Sequence, residues 1–405
     1  MNTDKKRWII LAAACLINLC LGSIYAWSVF ASSMTEYFNE TLQLGITAGD
    51  LAIVYTIANA VGPITMISGG WFNDRLGPKK VIGLGGIMFG GGMVLSGFAN
   101  SVSFLIISYG LIAGLGLGMA YGSTISTSVK YFPDKRGLIG GITTAVYGLS
   151  SVILPLVVTM IVDKWDATFA FKAVGIVFLL LIIGGTFFLE QCPEGYVPEG
   201  YTPPERKASS GDMDWRAMVK TPVFYIMLLL LMSGAFSGMM VISQASAVAQ
   251  NMIGMSAIAA SGAVSILALF NAVGRILAGY ISDKIGRINT LMTACILSIA
   301  GMLCLYLSGT GSIVTFYAGI SIVGISFGAF MGVYPGFTAD QFGARNNSVN
   351  YGIMFIGFAL AGYFGPQIMS NAYQSAGAYQ GAFLIACGLS AAGIILSLLY
   401  RVINK

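Results

Sequence analysis

Long apolar stretches separated by short islands of charge make up most of this 405-residue chain. Each stretch can cross a hydrocarbon core of ~30 Å as an α-helix rising about 1.5 Å per residue. The pattern therefore predicts an all-α membrane protein with twelve transmembrane helices. The predicted helices lie at roughly 8–31, 50–71, 80–99, 103–128, 138–162, 168–189, 222–247, 258–281, 289–308, 312–335, 347–371 and 379–402.

A polar segment at 190–221 divides these helices into two sets of six. It combines four prolines with mixed charge, which is typical of a solvated linker. We expect an N-terminal six-helix half at 1–189, a cytoplasmic linker at 190–221 and a C-terminal six-helix half at 222–405. Pseudo-two-fold symmetry is expected to relate the halves.

A charged, glycine-containing motif occurs once in each half, and its copies lie 209 positions apart. The first copy contains Gly70, Asp74, Arg75 and Gly77, and the second contains Gly279, Asp283, Gly286 and Arg287. A carboxylate at a helix end can accept hydrogen bonds from helix N-terminal amides and pair with a nearby cation. These eight residues are predicted to form a conformational gate, and the alternative is a topology anchor with solvated charges. The duplication favours a transporter built from two related halves.

Glycines four residues apart mark the fourth and tenth predicted helices. They are Gly110, Gly114, Gly118 and Gly122 in one helix and Gly324, Gly328, Gly332 and Gly336 in the other. This spacing puts each set on one helix stripe, where a neighbouring backbone can approach closely. A nucleotide-binding loop is disfavoured because the chain has no G-x-x-x-x-G-K-[ST] motif.

Composition fixes the expected orientation. Only 9% of residues are charged, none is histidine, and Lys and Arg concentrate on one side of the predicted topology. The positive-inside rule then predicts a multi-pass protein of the cytoplasmic (inner) membrane with both termini in the cytoplasm and an uncleaved first helix. The net charge of +5 is attributed to topology, so the lipid bilayer and not nucleic acid is the expected partner. The six cysteines show no metal-ligand spacing, and neither a metal nor a cofactor is expected.

The duplicated motif matches the cytoplasmic signature of the major facilitator superfamily. Three further segments resemble its oxalate:formate antiporter branch, which is related to the monocarboxylate transporters. They are Leu21 to Phe30, Lys130 to Pro133 with Arg136 and Gly137, and Asn350 to Gly352. The resemblance implies the major facilitator fold and transport of small organic anions, by exchange or together with a proton.

Arg275 is a cation at an unexpected depth. It lies eight residues before Asp283, so roughly 12 Å from the end of its predicted helix. A cation there costs at least ~2.5 kcal/mol and should have a partner, yet every acidic residue sits at a helix end or in a charged island. We therefore expect a substrate carboxylate to be the counter-ion, held by the guanidinium fork. Asn271, one turn earlier, can orient either group. The alternative is an arginine that snorkels or bonds to backbone carbonyls.

The resemblance implies further substrate-binding residues. Tyr25 and Tyr121 match the family's pocket tyrosines, and Met331 and Phe355 line the same region on this alignment. A second cation, a lysine in dicarboxylate-binding members, is replaced here by Phe358. One cation beside apolar side chains suits a monocarboxylate such as lactate, pyruvate or formate.

Other functions stay open. An oxalate or other dicarboxylate antiporter would need another polar partner, and a carrier of larger amphipathic anions such as bile acids would fit one arginine. A receptor would need a signalling domain, and no segment is long enough for one. An enzyme with catalytic residues is disfavoured because no nucleophile–base pair is visible. Proton coupling would have to use the substrate itself, Asp50 or Asp340. A monomer is expected.

Overall fold

The computed structural model describes residues 3–47, 49–202 and 212–404, which are helical or loop throughout and contain no strand. The expected all-α architecture is therefore confirmed for these residues. The middle of the predicted linker, including Pro203, Pro204 and Arg206, lies outside the described residues, as does Lys405.

The first part of the chain forms eight α-helices and two irregular helical segments. These are α1 (Thr3–Leu21), a 3-10 segment (Gly22–Ala26), α2 (Trp27–Thr41), α3 (Ala52–Leu76), α4 (Pro78–Ser96), α5 (Val102–Leu105), a π-helical segment (Ile106–Ala113), α6 (Gly114–Tyr131), α7 (Arg136–Lys164) and α8 (Ala167–Thr186).

Eight more helices lie in the described residues 212–404, the first of them within the predicted linker. These are α9 (Trp215–Met218), α10 (Pro222–Asn251), α11 (Ala257–Ile285), α12 (Arg287–Leu307), α13 (Ile313–Phe342), α14 (Asn347–Met354), α15 (Ile356–Ala376) and α16 (Gln380–Ile403).

Eleven helical stretches in the described part of the chain are long and apolar enough to span a membrane. The third predicted span corresponds to α4, which is not among these eleven stretches. α4 is 19 residues long, but two lysines lie in its first turn and it is rich in glycine, so it is less apolar than a typical membrane-spanning helix. The first predicted span, 8–31, is too short, because α1, the 3-10 segment and α2 continue to Thr41. The end of α2 is polar and carries Glu36 and Glu40, so it gave no apolar signal in the sequence.

Contacts divide the chain into two compact units. Unit 1 comprises 1–133, 146–205 and 344–353, and unit 2 comprises 134–145, 206–343 and 354–405. Each unit thus includes a short segment from the opposite side of the linker: the start of α7 belongs to unit 2, and most of α14 belongs to unit 1. The predicted six-helix halves describe the sequence repeat and stay a prediction.

Within unit 1, the glycine stripe of α6 packs on α3. A Cβ on Gly114 would lie 2.7 Å from the Cα of Ala58, and one on Gly118 would overlap the carbonyl of Gly62. Gly110, one step earlier, belongs to the π-helical segment but also faces α3, near Val54. The backbones of the two helices therefore touch, as the four-residue spacing predicts.

Within unit 2, the corresponding stripe of α13 packs on α11. A Cβ on Gly328 would overlap the carbonyl of Asn271 and lie 2.9 Å from the amide nitrogen of Arg275. A Cβ on Gly332 would overlap the Arg275 carbonyl. The α13 glycines therefore set the position of the stretch of α11 that carries the unexpected cation.

Candidate functional site

Arg275 lies in the interior of unit 2 and is only 4% exposed. Its Nε donates to Asn271 Oδ1 at 3.0 Å, and its Nη1 donates to the carbonyl oxygen of Thr144, on α7, at 2.7 Å. No carboxylate among the described residues pairs with it, and Nη2 has no hydrogen-bond partner there. The side chain is thus oriented on two sides while part of its fork stays available.

The contact with Asn271 is the one expected from the spacing of the two residues. They lie one turn apart on α11, so their side chains meet on one helix face. The contact with Thr144 could not be read from the sequence, because Thr144 precedes Arg275 by 131 positions. A hydrogen bond to a backbone carbonyl is the alternative expected for Arg275, and the structure shows one such bond together with the open Nη2.

Two of the predicted binding residues, Phe355 and Phe358, form an apolar group in unit 2. Phe355 and Phe358 stack with their ring centroids 4.5 Å apart, and Phe327 adds a third ring 6.3 Å from Phe358. Met331 is buried, with 3% of its surface exposed. Phe355 also marks the break between α14 and α15. The sequence did not predict Phe327 as a member of this group, although it precedes Met331 by one helical turn.

The two predicted tyrosines lie together in unit 1, and a third tyrosine joins them. Tyr147 on α7 contacts the ring of Tyr121 at a centroid distance of 4.5 Å and that of Tyr25 at 5.4 Å. Tyr25 is 38% exposed and lies in the 3-10 segment, whereas Tyr121 is buried in α6. Sequence reasoning missed Tyr147, since aromatic residues in apolar helices are mostly ordinary packing residues.

Asp74, from the first motif copy, caps the N-terminus of α14 within unit 1. It accepts hydrogen bonds from the backbone amides of Ser348 at 3.4 Å and Val349 at 3.1 Å, and pairs with Lys130 at 2.6 Å. The Asp74 side chain is only 5% exposed. We refer to Asp74, Lys130, Ser348 and Val349 as the α14 cap.

Asp283, from the second copy, caps the N-terminus of α7 within unit 2. It accepts hydrogen bonds from the backbone amides of Gly137 and Leu138, both at 2.9 Å, and pairs with Arg287 at 2.6 Å. Its side chain is 14% exposed. We refer to Asp283, Arg287, Gly137 and Leu138 as the α7 cap. The prediction that the motif carboxylates accept from helix amides is thus met, although the capped helices are distant in sequence.

The motif glycines explain why both caps need this sequence. Gly77 and Gly286 have φ of 83° and 89°, a region that favours glycine, and they end α3 and α11. A Cβ on Gly70 would lie 2.6 Å from the carbonyl carbon of Ser348, and one on Gly279 would overlap the carbonyl of Gly137. The first glycine of each copy therefore admits the capped helix, and the second ends the helix that carries the aspartate.

The basic residues of the two motif copies behave differently. Arg75 places its guanidinium 3.6 Å from the ring centroid of Trp71, and Lys130 supplies the cation for Asp74. Arg287, by contrast, pairs with both Asp283 and Asp340. The expectation that Asp74 pairs with a nearby cation holds, but the cation comes from α6 and not from the motif. The segment from Lys130 to Pro133, which resembles the family, was the one sequence feature that pointed to Lys130.

The two acids considered for proton coupling are both engaged. Asp50 lies in the loop before α3, where the backbone amide and the hydroxyl of Thr47 donate to its carboxylate, both at 2.8 Å. These hydrogen bonds lower the pKa of Asp50. Asp340 accepts from Arg136 at 2.6 Å and from Arg287 at 2.8 Å. The arrangement around Asp50 favours its ionised carboxylate.

Comparison with known proteins decides the family. The family model described as Major Facilitator Superfamily matches residues 13–366. The chain belongs to the Major Facilitator Superfamily. This result confirms the family resemblance and the fold, and makes the chain a multi-pass membrane transporter.

Characterised and uncharacterised relatives share most of the chain's length. It is 28% identical over 364 residues to the uncharacterized MFS-type transporter YhjX of Escherichia coli, covering 89% of this chain and 86% of that protein. It is 28% identical over 365 residues to the oxalate:formate antiporter of Oxalobacter formigenes, covering 89% and 83%. Human monocarboxylate transporter 12 is 24% identical over 425 residues, covering 95% and 78%.

Two sugar transporters of this superfamily are among the solved structures with the same fold. The outward conformation of FucP superposes with a TM-score of 0.70 at 13% identity, covering 98% of this chain and 99% of that one. The proton:xylose symporter XylE, bound to 6-bromo-6-deoxy-D-glucose, superposes with a TM-score of 0.71 at 16% identity, covering 96% and 95%. At these identities the likeness establishes the fold alone.

Proposed function

We propose that this transporter carries small organic anions, most favourably monocarboxylates such as lactate, pyruvate or formate, and that Arg275 binds the substrate carboxylate. The observation that carries the proposal is the state of Arg275. It is a 4% exposed cation within a membrane-length helix, and no carboxylate of the described residues pairs with it. Its cost in a membrane falls when a ligand supplies the missing negative charge.

The geometry around the guanidinium supports an oxyanion ligand. Asn271 and the Thr144 carbonyl fix the plane of the fork, which reduces the entropy lost when a ligand binds. Nη2 can then donate to a carboxylate oxygen. Tyr25, Tyr121 and Tyr147 offer hydroxyl donors in unit 1, and we assign them to the substrate as a part of the same proposal.

The apolar group of unit 2 supports a single carboxylate. Phe358 stands where the resemblance places a lysine in dicarboxylate-binding relatives, and it stacks on Phe355. A second carboxylate beside these rings would be desolvated without a cation, which is costly. A short apolar tail would instead be stabilised there. The oxalate:formate antiporter and monocarboxylate transporter 12 are among the relatives, which supports the carboxylate class.

Alternating access, by exchange or with a proton, is the mode of transport that we propose. The α14 and α7 caps would form in one state and break in the other, so the eight motif residues would act as a gate. Each cap binds a helix start to its unit through a carboxylate and two amides, a contact that can be lost without unfolding either helix. We further propose a monomer in the inner membrane with cytoplasmic termini.

Proteoliposome uptake tests the substrate class. Labelled formate, lactate, pyruvate, oxalate and a bile acid would be supplied with and without a pH gradient and with unlabelled anion inside. We expect monocarboxylate uptake, and the gradient and the internal anion separate symport from exchange. Uptake of oxalate alone would support the dicarboxylate alternative, and bile acid uptake alone would support the amphipathic one. No uptake of any carboxylate would refute the proposal.

Conservative substitution tests the role of Arg275. Arg275→Lys keeps the charge but loses the planar fork, so we expect carboxylate transport to fall at least tenfold, on the order of the 1.5–3 kcal/mol of a charge-assisted hydrogen bond. Arg216→Lys is the matched control, because Arg216 is exposed on the short helix α9. Wild-type transport by Arg275→Lys would show that the assignment is wrong.

Restoring the missing cation tests the preference for one carboxylate. Phe358→Lys introduces an amine at the position where the resemblance places a lysine in dicarboxylate-binding relatives. We expect the ratio of oxalate to formate uptake to rise. Phe364→Lys on the same helix α15, at an exposed position, is the control for a general effect of added charge. Equal ratios in the two variants would contradict the assignment of Phe358.

A further inference from the structure

The start of α7 runs along α11 inside unit 2, and the two helices touch through glycine at two levels. A Cβ on Gly137 would overlap the carbonyl of Gly279, and a Cβ on Gly141 would overlap the carbonyl of Arg275. A step of four residues along α7 thus corresponds to four residues backwards along α11. The helices are antiparallel neighbours in direct backbone contact at these glycines.

The same stretch of α7 also binds α11 by hydrogen bonds at each end. Near its N-terminus, the amides of Gly137 and Leu138 donate to Asp283 at 2.9 Å. Two turns further, the Thr144 carbonyl accepts from Arg275 Nη1 at 2.7 Å. Arg275 therefore marks the inner end of a continuous contact whose outer end is the α7 cap.

Arg275 has two neighbours of different kinds. Asn271 lies on α11 itself and moves with the arginine, whereas Thr144 lies on α7. A carboxylate binds an arginine most strongly through two parallel N–H groups, either Nη1 with Nη2 or Nε with Nη2. Nη1 carries two N–H groups and Nε only one, so a carboxylate bound through Nη1 and Nη2 shares the Nη1 nitrogen with the Thr144 carbonyl, whereas a carboxylate bound through Nε and Nη2 displaces Asn271.

We propose that Gly141 and the Thr144 carbonyl are the positioning groups of Arg275, and that a bound carboxylate loosens the start of α7 by competing with Thr144 for the guanidinium. This inference rests on the proposed role of Arg275 in substrate binding. A carboxylate is the stronger acceptor for the guanidinium, since it carries a full negative charge whereas the Thr144 carbonyl is neutral. Occupancy of the site therefore weakens the inner end of the contact that the α7 cap closes.

Hydrogen exchange tests the competition directly. The purified full chain in lipid nanodiscs would be compared in sodium chloride and in sodium formate or lactate at the same concentration. We expect the carboxylate salts to increase exchange several-fold in peptides covering 136–145, with a smaller change in 222–251 of α10 as an internal reference. Exchange in 136–145 that stays constant while a ligand-induced thermal shift shows binding would overturn this inference and leave the proposed function standing.

Arg275→Gln separates the two proposals. Without ligand, loss of the Thr144 contact should raise exchange in 136–145 above the wild-type level, and carboxylates should cause no further change. The ligand-free comparison does not need a known substrate. If wild type binds no carboxylate, the proposed function is refuted, and exchange in ligand-free Arg275→Gln still tests the contact between Arg275 and Thr144. Unchanged exchange in ligand-free Arg275→Gln would overturn the positioning role of α7.

Gly141→Ala tests the positioning role in transport. The added Cβ overlaps the Arg275 carbonyl and lies 3.2 Å from the Cα of Ile276, so the arginine must shift. We expect the KM for a monocarboxylate to rise about tenfold with a smaller change in the maximal rate, as for one weakened charge-assisted hydrogen bond. The matched control is Gly262→Ala in α11, where a Cβ meets nothing within 4 Å.

A fall in maximal rate alone, with an unchanged KM, would show that Gly141 has only a packing role. If Gly141→Ala does not fold, which a thermal melt would reveal, the exchange experiment on Arg275→Gln decides the inference without it.

Discussion

The α14 cap and the α7 cap have the same backbone plan and different side-chain surroundings. In each, a motif aspartate accepts from two amides at a helix N-terminus, and a motif glycine admits that helix. The α14 cap contains one ion pair, between Asp74 and Lys130. The α7 cap also contains one, between Asp283 and Arg287, and two further ion pairs join it to Asp340 and Arg136. The repeat thus preserves the contact between helix and carboxylate but not the charges that support it.

Neutral hydrogen bonds take the place of the extra charges in unit 1. Asn73 donates to the Ser348 hydroxyl at 2.8 Å, and that hydroxyl donates to Ser126 at 2.9 Å. In unit 2 the position of Asn73 is held by Ser282, which accepts from Arg287 at 2.6 Å. Neutral buried hydrogen bonds are insensitive to salt, whereas partly exposed ion pairs are screened by it. The two caps should therefore respond differently to mutation and to ionic strength.

The largest effect is expected from Asp74→Asn. The Asp74 side chain is 5% exposed. Its replacement by a neutral amide leaves the partly buried Lys130 without its negatively charged partner. Breaking a buried pair in this way costs ~3 kcal/mol. We expect hydrogen exchange in 347–353 to rise and transport to fall strongly. Glu36→Gln, an exposed change on α2, is the control, and wild-type exchange in 347–353 would contradict the assigned role of Asp74.

A smaller effect is expected from Asp283→Asn. Arg287 keeps Asp340 as a partner at 2.8 Å, so no buried cation is left alone. Two amide hydrogen bonds to a charged acceptor are weakened, which corresponds to about 1–2 kcal/mol. Exchange in 136–145 reports the change. If this variant destabilised its cap more than Asp74→Asn does, the proposed difference between the caps would be wrong.

Ionic strength should separate the caps further. Asp340 is 36% exposed, so its pairs with Arg136 and Arg287 are open to screening. Raising sodium chloride from about 0.15 to 1 M shortens the Debye length from roughly 8 to 3 Å. We expect exchange to increase in 136–145, by an amount equivalent to less than 1 kcal/mol, and to stay nearly constant in 347–353. An equal response of both peptides would contradict the comparison.

The smallest effect is expected outside both caps, at Asp50. The Thr47 hydrogen bonds lower the pKa of Asp50 below its usual 3.8, so the folded protein binds the proton less readily than the unfolded chain. Any stabilisation by Asp50 is therefore present above its unfolded pKa and lost as pH falls through the lower folded value. Between about pH 5 and 8 the carboxylate stays ionised. Asp50→Asn should leave the pH profile of uptake unchanged, and a shifted profile would restore Asp50 as a proton carrier.

The fold could be predicted because hydrophobic length and repetition are local signals. Four-residue glycine spacing predicted the close packing of α6 on α3, and the motif predicted both the aspartates and the glycines of the caps. The partners were not predictable in the same way. Nothing in the spacing connects Asp283 to Gly137 or Asp74 to Ser348, which lie 146 and 274 positions away.

The chain's own pattern determined that it is a helical membrane transporter with a buried arginine, because apolar length, charge segregation and the cost of burying a cation each act on a few neighbouring residues. Tertiary structure alone decided which helix each aspartate caps, that Lys130 neutralises Asp74, and that α7 meets Arg275 through Gly141 and Thr144. Those contacts depend on helices that come together only when the chain folds, and backbone groups such as the Thr144 carbonyl carry no mark in the sequence.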